Sequence, residues 1–380
     1  MPYNIALYLS LTQMHHQGIA NGALRYAHTK GWRIFGAYWP MYEIGEIEKW
    51  NGDGIIAAVE SLEELAELRK AGVPVVDISG AVEHPDLTRV SNDNLAIGNQ
   101  GGEHIALLGL EHHCFAAAEG SLWSDERQRG FCTALARRGR GEEVTVFRRP
   151  FSWWQQPEFS QELADFLAKQ PRPFGIMAAN DIVGMNVVGA CRLAGLSIPE
   201  EVALVSVDNE ELLCELSTPP MSSIPFDRHE IGFRAAERLD ALMQGLIDSM
   251  PPLLITPMPV VERASSTLLP TGDATVKAAL SYIRQNARQG IGAVDVARQA
   301  ACSRRTLEAR FRKLMGHSIL DEIHRIRVGH ARHLLMETAL PISRVSSECG
   351  FNSVVRFIAV FTELAGEAPK SYRLRKGVMR

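Results

Sequence analysis

The chain has 380 residues, 46% of them hydrophobic and 22% charged, with a formal net charge of −4. That balance is ordinary for a globular protein, and no apolar run reaches the roughly 20 residues that a membrane-crossing helix needs. The length is large for one core, so two or more domains are expected.

The chain enters a strand almost at once, at Ile5-Ala6-Leu7-Tyr8-Leu9. No signal peptide and no membrane association are therefore expected, and the expected location is cytoplasmic. From Tyr3 to about Arg263, short apolar runs alternate with amphipathic stretches. Strands are expected at 5–9, 33–38, 54–59, 74–78, 114–118, 144–148, 174–179, 202–207 and 253–261. Helices are expected at 61–71, 95–108, 125–138, 159–168, 182–194 and 229–243. Alternation of this kind predicts parallel α/β sheets, and the total predicts two lobes.

Open parallel sheets bind ligands at the carboxyl ends of their strands. The polar residues just after each apolar run are therefore the candidates: Ser10, Asp93, Arg127, Trp153 or Trp154, Asn180, Asp181 and Asp208. Carboxylates, amides and an arginine match sugar hydroxyls, and an aromatic plane matches the C–H face of the ring. Each of these residues also fits a helix cap or a turn, Asp181 and Asp208 especially. The run at 264–274, with Ser265-Ser266-Thr267, Pro270 and Gly272, reads as a linker. The expected division is a first domain at 1–263, a linker at 264–275 and a second domain at 276–380.

Charge separates the same two parts. From Thr271 onward there are 19 Lys and Arg against 9 Asp and Glu, leaving 21 against 35 for the rest. A basic domain on an acidic body predicts a polyanionic partner for the former alone.

The basic part carries one small pattern twice. The first copy runs from Ala293 through Cys302-Ser303 to Phe311, the second from Ile342 through Gly350-Phe351 and Ser353 to Phe361. Each is a short amphipathic helix, a tight turn, and a serine able to cap the next helix. Leu307, Phe311 and Leu314, and likewise Phe357 and Phe361, recur at helical spacing and are expected to share one buried face. A long helix pattern at 319–336, with Ile323, Ile326, Ala331, Leu334 and Leu335 as its stripe, would hold the two units apart at a fixed distance. One copy alone could belong to any helical bundle. Two copies in a basic domain favour paired helix-turn-helix readers of double-stranded DNA.

The ordered run Leu307…Phe311, Gly316, Arg327, Ala331…Leu334-Leu335, Ile342, Val345, Gly350-Phe351, Phe357, Phe361, Gly366, Pro369 and Tyr372-Arg373 resembles the DNA-binding domain of AraC-type regulators. It departs from that pattern at Thr362, where a lysine or arginine is usual. In the first part, Asp93-Asn94…Gly98, Arg127…Gly130-Phe131, Asn180-Asp181, Ile198-Pro199-Glu200-Glu201-Val202 and Val207-Asp208-Asn209 resemble the effector domain of LacI-type regulators. That domain is similar in turn to periplasmic sugar-binding proteins.

The fold class these resemblances imply is an α/β two-lobed periplasmic-binding-protein-like domain followed by an all-α domain with two helix-turn-helix units. They place Arg127, Asn180 and Asp208 where the LacI-type family contacts sugar, with Trp153 or Trp154 near its stacking aromatic. The order of the parts is similar to that of regulators of xylose utilisation. It implies a homodimeric, sugar-responsive activator of pentose catabolism genes, with RNA polymerase as a further partner. By analogy the DNA-contacting residues are Ser303, Arg304, Arg305, Glu308 and Arg312 in the first reader, and Ser353, Val354, Val355 and Ile358 in the second. Arginine suits guanine and glutamate can accept from cytosine. The apolar second set leaves thymine-methyl contact, shape readout or mere backbone binding open.

Other readings are weaker. The glycines of Gly98-Asn99-Gln100-Gly101-Gly102 lack the spacing of a nucleotide-binding loop. The pairs His15-His16, His112-His113 and His330/His333 lack companions at metal spacing, so neither a metal nor another cofactor is expected. The cysteines at 114, 132, 191, 214, 302 and 349 form no C-x-x-C pair and read as reduced core residues. No catalytic constellation is evident, and an enzyme is not expected. A repressor of the same architecture, or a sugar-binding protein whose helical tail recruits a protein, remain the alternatives.

Overall fold

A computed structural model describes residues 2–11, 14–38, 41–42, 46–84, 86–139, 143–156, 158, 160–246, 251–267 and 273–376. They belong to two compact units, Met1–Thr267 and Leu268–Arg380.

The first unit holds two sheets. One runs, edge to edge, Leu253–Ile255, Thr88–Asn92, Val75–Asp77, Gly54–Ala57, Asn4–Tyr8, Arg33–Tyr38 and Met41–Tyr42. The other runs Ser222–Ile224, Val202–Val207, Phe174–Ala178, His112–Glu119 and Val144–Pro150. The pairings are parallel, except the antiparallel hairpin of Arg33–Tyr38 with Met41–Tyr42. Phe174–Ala178 and Val202–Val207 are buried at every position. Central parallel strands are covered on both faces, which is why these segments read as unbroken apolar runs.

Three segments pass between the sheets: after Asn92, after Ile224 and after Ile255. They are hydrogen-bonded to one another. Asp93 N–H donates to the Ile255 carbonyl (2.9 Å), and Met258 N–H donates to the Pro225 carbonyl (2.8 Å). The expected strand at 253–261 is therefore a strand only to Ile255, and its remainder is a crossing segment.

A long helix, Met14–Lys30, was not legible from the apolar pattern. Its Gly18 and Gly22 interrupt the stripe because the helix Arg228–Met243 lies against them, and a β-carbon at Gly22 would collide with the His229 carbonyl. The glycine run at 98–102 has the same use. Helix Asn94–Leu107 meets helix Leu122–Arg137 there, with no room for a side chain between Gly98 and the Arg127 carbonyl. Cys114, Cys191, Cys214 and Cys349 are buried as core residues, whereas Cys132 and Cys302 are only half-buried.

The residues 264–267, read above as the start of a linker, pack into the first unit. Ala264–Ser266 form a 3-10 turn, and Ser265 Oγ donates to the Leu204 carbonyl (2.7 Å) while accepting from Ser222 N–H (2.8 Å). Serine hydroxyls that replace missing backbone partners hold the segment down. Of the remaining linker residues, 268–272 lie outside the described residues, and 273–275 are not linker but the cap and first turn of helix Ala274–Asn286.

The second unit is helical: Ala274–Asn286, Ala293–Gln299, Arg304–Met315, Ile319–Glu337, Ile342–Glu348, Val354–Ala365 and Pro369–Lys376. It has two cores. Val276, Leu280, Val296, Leu307, Phe311 and Ile323 form one, and Val328, Ala331, Leu335, Val345, Phe357 and Phe361 the other. The helix Ile319–Glu337 gives its first half to one core and its second half to the other. Leu314 departs from the expected buried face and is 42% exposed, because helix Arg304–Met315 turns that flank outward near its end.

Candidate functional site

The carboxyl ends of the strands bring together a polar cluster around Arg127. This side chain is 4% exposed. Its Nε donates to Asn94 Oδ1 (3.0 Å), its Nη1 donates to the Ala179 carbonyl (2.6 Å), and Nη1 lies 3.7 Å from Asp208 Oδ1. Its guanidinium sits 5.0 Å above the ring of Trp123. Burial pushes the Asp208 carboxyl above its ordinary range, against the pull of Arg127 and Arg228. Asp208 also has a φ of 104°, a left-handed conformation rare outside glycine that turns the chain sharply after Val207.

The first sheet contributes from the opposite side. Arg228 opens helix Arg228–Met243, and its Nη2 donates to the Asp208 carbonyl and pairs with Glu210 Oε1 (2.9 Å). Arg228 Nε and Glu210 Oε2 are buried with no hydrogen-bond partner among the described residues. A donor and an acceptor thus remain unused beside Asp208, whose carboxylate itself accepts no hydrogen bond among the described residues.

The other sequence candidates divide. Asn180 Oδ1 accepts from Val183 N–H (3.0 Å), capping helix Asp181–Leu193. Asp93 Oδ1 accepts from Ala96 N–H (2.9 Å) as the cap of the next helix along the crossing. Asp181 is a brace. Its Oδ2 accepts from Glu210 N–H (2.7 Å) and its Oδ1 from Ser223 Oγ (2.7 Å), so both oxygens tie strand-end loops together.

Ser10 follows the first strand, and its carbonyl accepts from His16 Nδ1 (3.1 Å). Trp153 packs on Phe147 and Trp154, with ring centroids 5.6 Å and 4.9 Å away, and no described contact joins it to Arg127. Trp154 is core, donating from Nε1 to the Ala117 and Arg149 carbonyls. Asn94 stands beside Asp93 in the strand-end pair noted in the sequence, whereas Trp123, Glu210 and Arg228 were not among the candidates. Position after a strand was the signal used, and these three lie in helices or at their starts.

His15 and His16, set aside above as a metal pair, sit at the start of helix Met14–Lys30 with ring centroids 4.0 Å apart. Burial first, then the neighbouring His16, Arg228 and Arg127, hold His15 well below the ordinary histidine range. Burial lowers His16 to about 4. Both rings are therefore neutral at pH 7. An unfolded chain binds a proton at His16 from about pH 6.5 downward, and the folded chain does so only near 4. The first unit is thus expected to lose on the order of a few kcal/mol as pH falls through that window. His16→Gln should flatten the dependence of denaturation midpoint on pH between 4 and 6.5; an unchanged slope would remove His16 as its cause.

In the second unit, two helices share one design. Ser303 Oγ accepts from Thr306 N–H (3.2 Å), and Ser353 Oγ accepts from Arg356 N–H (3.4 Å). Each helix ends on a glycine with left-handed φ, Gly316 at 76° and Gly366 at 77°. Leu307, Phe311, Phe357 and Phe361 are buried, so the opposite faces lie open. Arg304, Arg305 and Arg312 are exposed, as are Ser303, Ser353, Val354, Val355 and Ile358. Glu308 is half-buried and pairs with Arg312 Nε (3.1 Å), an interaction it must leave in order to accept from a base.

Paired helix-turn-helix units behind a two-lobed sensor define a DNA-binding transcription regulator. Residues 95–266 match the periplasmic binding protein-like domain family, and residues 296–375 match a helix-turn-helix domain family. In this combination the chain is similar to the AraC-type transcription regulators that carry a periplasmic-binding-protein-like sensor. It is 29% identical to the xylose operon regulatory protein of Escherichia coli K12, over 98% of this chain and 97% of that one. It is 28% identical to the protein of that name from Haemophilus influenzae, over 98% of both. A solved structure described as the xylose-binding transcription activator xylR covers 99% of both chains at 27% identity, with a TM-score of 0.60. These relatives are transcription regulators, and the chain is a regulator rather than an enzyme. No described helix is long and apolar enough to cross a membrane.

Proposed function

We propose that the chain is a sugar-responsive activator whose effector is an uncharged pentose of the xylose type. The observation that carries this reading is charge matching. Arg127 faces Asp208 and Arg228 faces Glu210, so neither guanidinium calls for a phosphate or carboxylate on the ligand. What is left unused is Arg228 Nε, Glu210 Oε2 and the Asp208 carboxylate, beside the Trp123 plane. Hydroxyls satisfy both donors and acceptors, and a sugar's C–H face packs on an aromatic ring. The names of the relatives point to xylose, and the solved relative is described as an activator.

In this reading Arg127, Asn180, Asp208 and Arg228 contact the sugar, together with Ser10 and Asp93 near the crossing segments. The sugar shifts the sensor toward a closed arrangement of its lobes because it binds that arrangement more tightly. The protein works in the cytoplasm as a homodimer on promoter DNA, beside RNA polymerase. Thermal denaturation with D-xylose, L-arabinose, D-ribose, D-glucose and a sugar phosphate tests it. At a hundredfold excess over Kd a cognate pentose should stabilise the sensor by about 2.7 kcal/mol. A response to the sugar phosphate alone would overturn the uncharged effector. Transcription from a target promoter with and without sugar separates activator from repressor.

Arg305→Ala is expected to weaken DNA binding by about 1–3 kcal/mol and to relax preference at one base position. An unchanged footprint and affinity would remove Arg305 from the readout.

A further inference from the structure

The two reading helices have the same length and the same caps, yet opposite chemistry on the open face. Arg304–Met315 carries five basic side chains and one acidic, whereas Val354–Ala365 carries one of each, Arg356 and Glu363. In register from the capping serines, Arg304, Arg305 and Glu308 of the first correspond to Val354, Val355 and Ile358 of the second. Those aliphatic side chains are 36%, 79% and 39% exposed on the first turns, where the backbone is closest to whatever the helix enters. They are not core residues turned outward, since Phe357, Val360 and Phe361 already fill the inner face.

We propose that the second unit selects thymine, by packing Val354, Val355 and Ile358 on thymine C5-methyl groups in the major groove. The inference rests on the chain being a DNA-binding regulator and goes beyond it to name which bases one half of the site contains. The occupant follows from position and charge. The face belongs to a capped helix of a helix-turn-helix in a domain with 19 basic residues against 9 acidic from Thr271 onward, and the exposed Arg356 lies on the same helix between Val355 and Ile358. Among the groups a major groove displays, the thymine methyl is the apolar one, and the rest are donors or acceptors. Valine and isoleucine offer neither, so facing a guanine or adenine edge they would leave polar atoms dehydrated and unpaired. The first unit, with two arginines at the matching positions, reads the other half of the site by hydrogen bonds and supplies most of the phosphate attraction.

The test uses the full-length protein and uracil, which is thymine without the methyl. Duplexes selected from a random pool identify the bound sequence, and the half whose preference changes with Arg305→Ala is assigned to the first unit. Replacing thymines of the other half by deoxyuridine should weaken binding about fourfold for each contacted methyl. Val355→Ala should weaken binding to the thymine duplex similarly and should lose most of its effect on the uracil duplex. Val355 is exposed, so an unchanged denaturation midpoint confirms that the variant is folded, and Ile358→Ala repeats the comparison. Selection that enriches no sequence would overturn the DNA-reader reading itself. A second half without thymine, or indifference to uracil, would overturn this inference and leave the regulator standing. Unchanged DNA affinity of Val355→Ala, with loss of activation in a purified transcription assay, would assign the face to a protein partner instead.

Discussion

Arg127→Met is expected to abolish the sugar-induced rise in denaturation midpoint and to destabilise the first unit by about 3–5 kcal/mol. Methionine fills much of the space but removes the donor to Asn94 Oδ1 and the Ala179 carbonyl, and the cation 3.7 Å from the Asp208 carboxylate. Asn94 Oδ1 keeps the donor Asn92 Nδ2 (3.3 Å), but the Ala179 carbonyl is a buried acceptor, and such groups cost far more unpaired than a hydrogen bond contributes when made. Asp208 is also left as a carboxylate facing no cation from the second sheet's side. Arg127→Lys separates the two effects. A lysine restores the charge beside Asp208 but cannot serve both acceptors with a planar fork, so stability should partly return while the sugar response stays weak. Thermal scans of each variant with and without D-xylose decide the matter. A full-sized sugar shift in Arg127→Met would mean that Arg127 holds the fold and does not serve the ligand.

Arg327→Met should act on the other unit and spare the first. Arg327 lies mid-helix in Ile319–Glu337 and is 6% exposed. Its Nε donates to the Ala287 carbonyl (2.7 Å) and its Nη2 to the Ile291 carbonyl (2.8 Å), while its guanidinium lies 5.4 Å from the Phe351 ring centre. It therefore fastens the lead-in of the first helix-turn-helix to the turn of the second. Methionine leaves the buried Ala287 carbonyl unpaired, at a cost of about 1–3 kcal/mol, and removes the partner of the half-buried Ile291 carbonyl. Two readers held at a fixed separation bind as one; once loosened, they lose the effective concentration that coupled them. The expected result is a fall in DNA affinity of roughly tenfold or more, with the sugar-induced shift unchanged. Gly350→Ala should behave alike, because its β-carbon would sit 2.5 Å from the Arg288 carbonyl oxygen and its φ is 78°. DNA affinity equal to that of the parent protein in both variants would show that the junction does not govern binding.

Much of this molecule was legible because much of it is local. Ser303 and Ser353 cap their helices through an N–H three residues on, and Gly316 and Gly366 end them, all within one turn of chain. Buried parallel strands such as Val202–Val207 announce themselves by an apolar run, and the charge of the last domain is a matter of counting. Helix Met14–Lys30 was obscured for a non-local reason, since its glycines are explained by a helix more than 200 residues away.

The site was decided in the same way. Asp181 and Asp208 look alike in sequence, each following a buried strand. Glu210 and Ser223 claim the first as a brace, while Arg127, 81 positions earlier, meets the second. The sequence pointed to Trp153 or Trp154 as the platform, but both pack on Phe147, and the ring under Arg127 is that of Trp123. Sequence determined the elements and the division of labour, because hydrogen bonds within a turn and side-chain periodicity need only neighbouring residues. Tertiary structure decided which polar groups are consumed and which remain for a ligand, because burial and partnership depend on strand ends that meet only after the chain has crossed between its lobes.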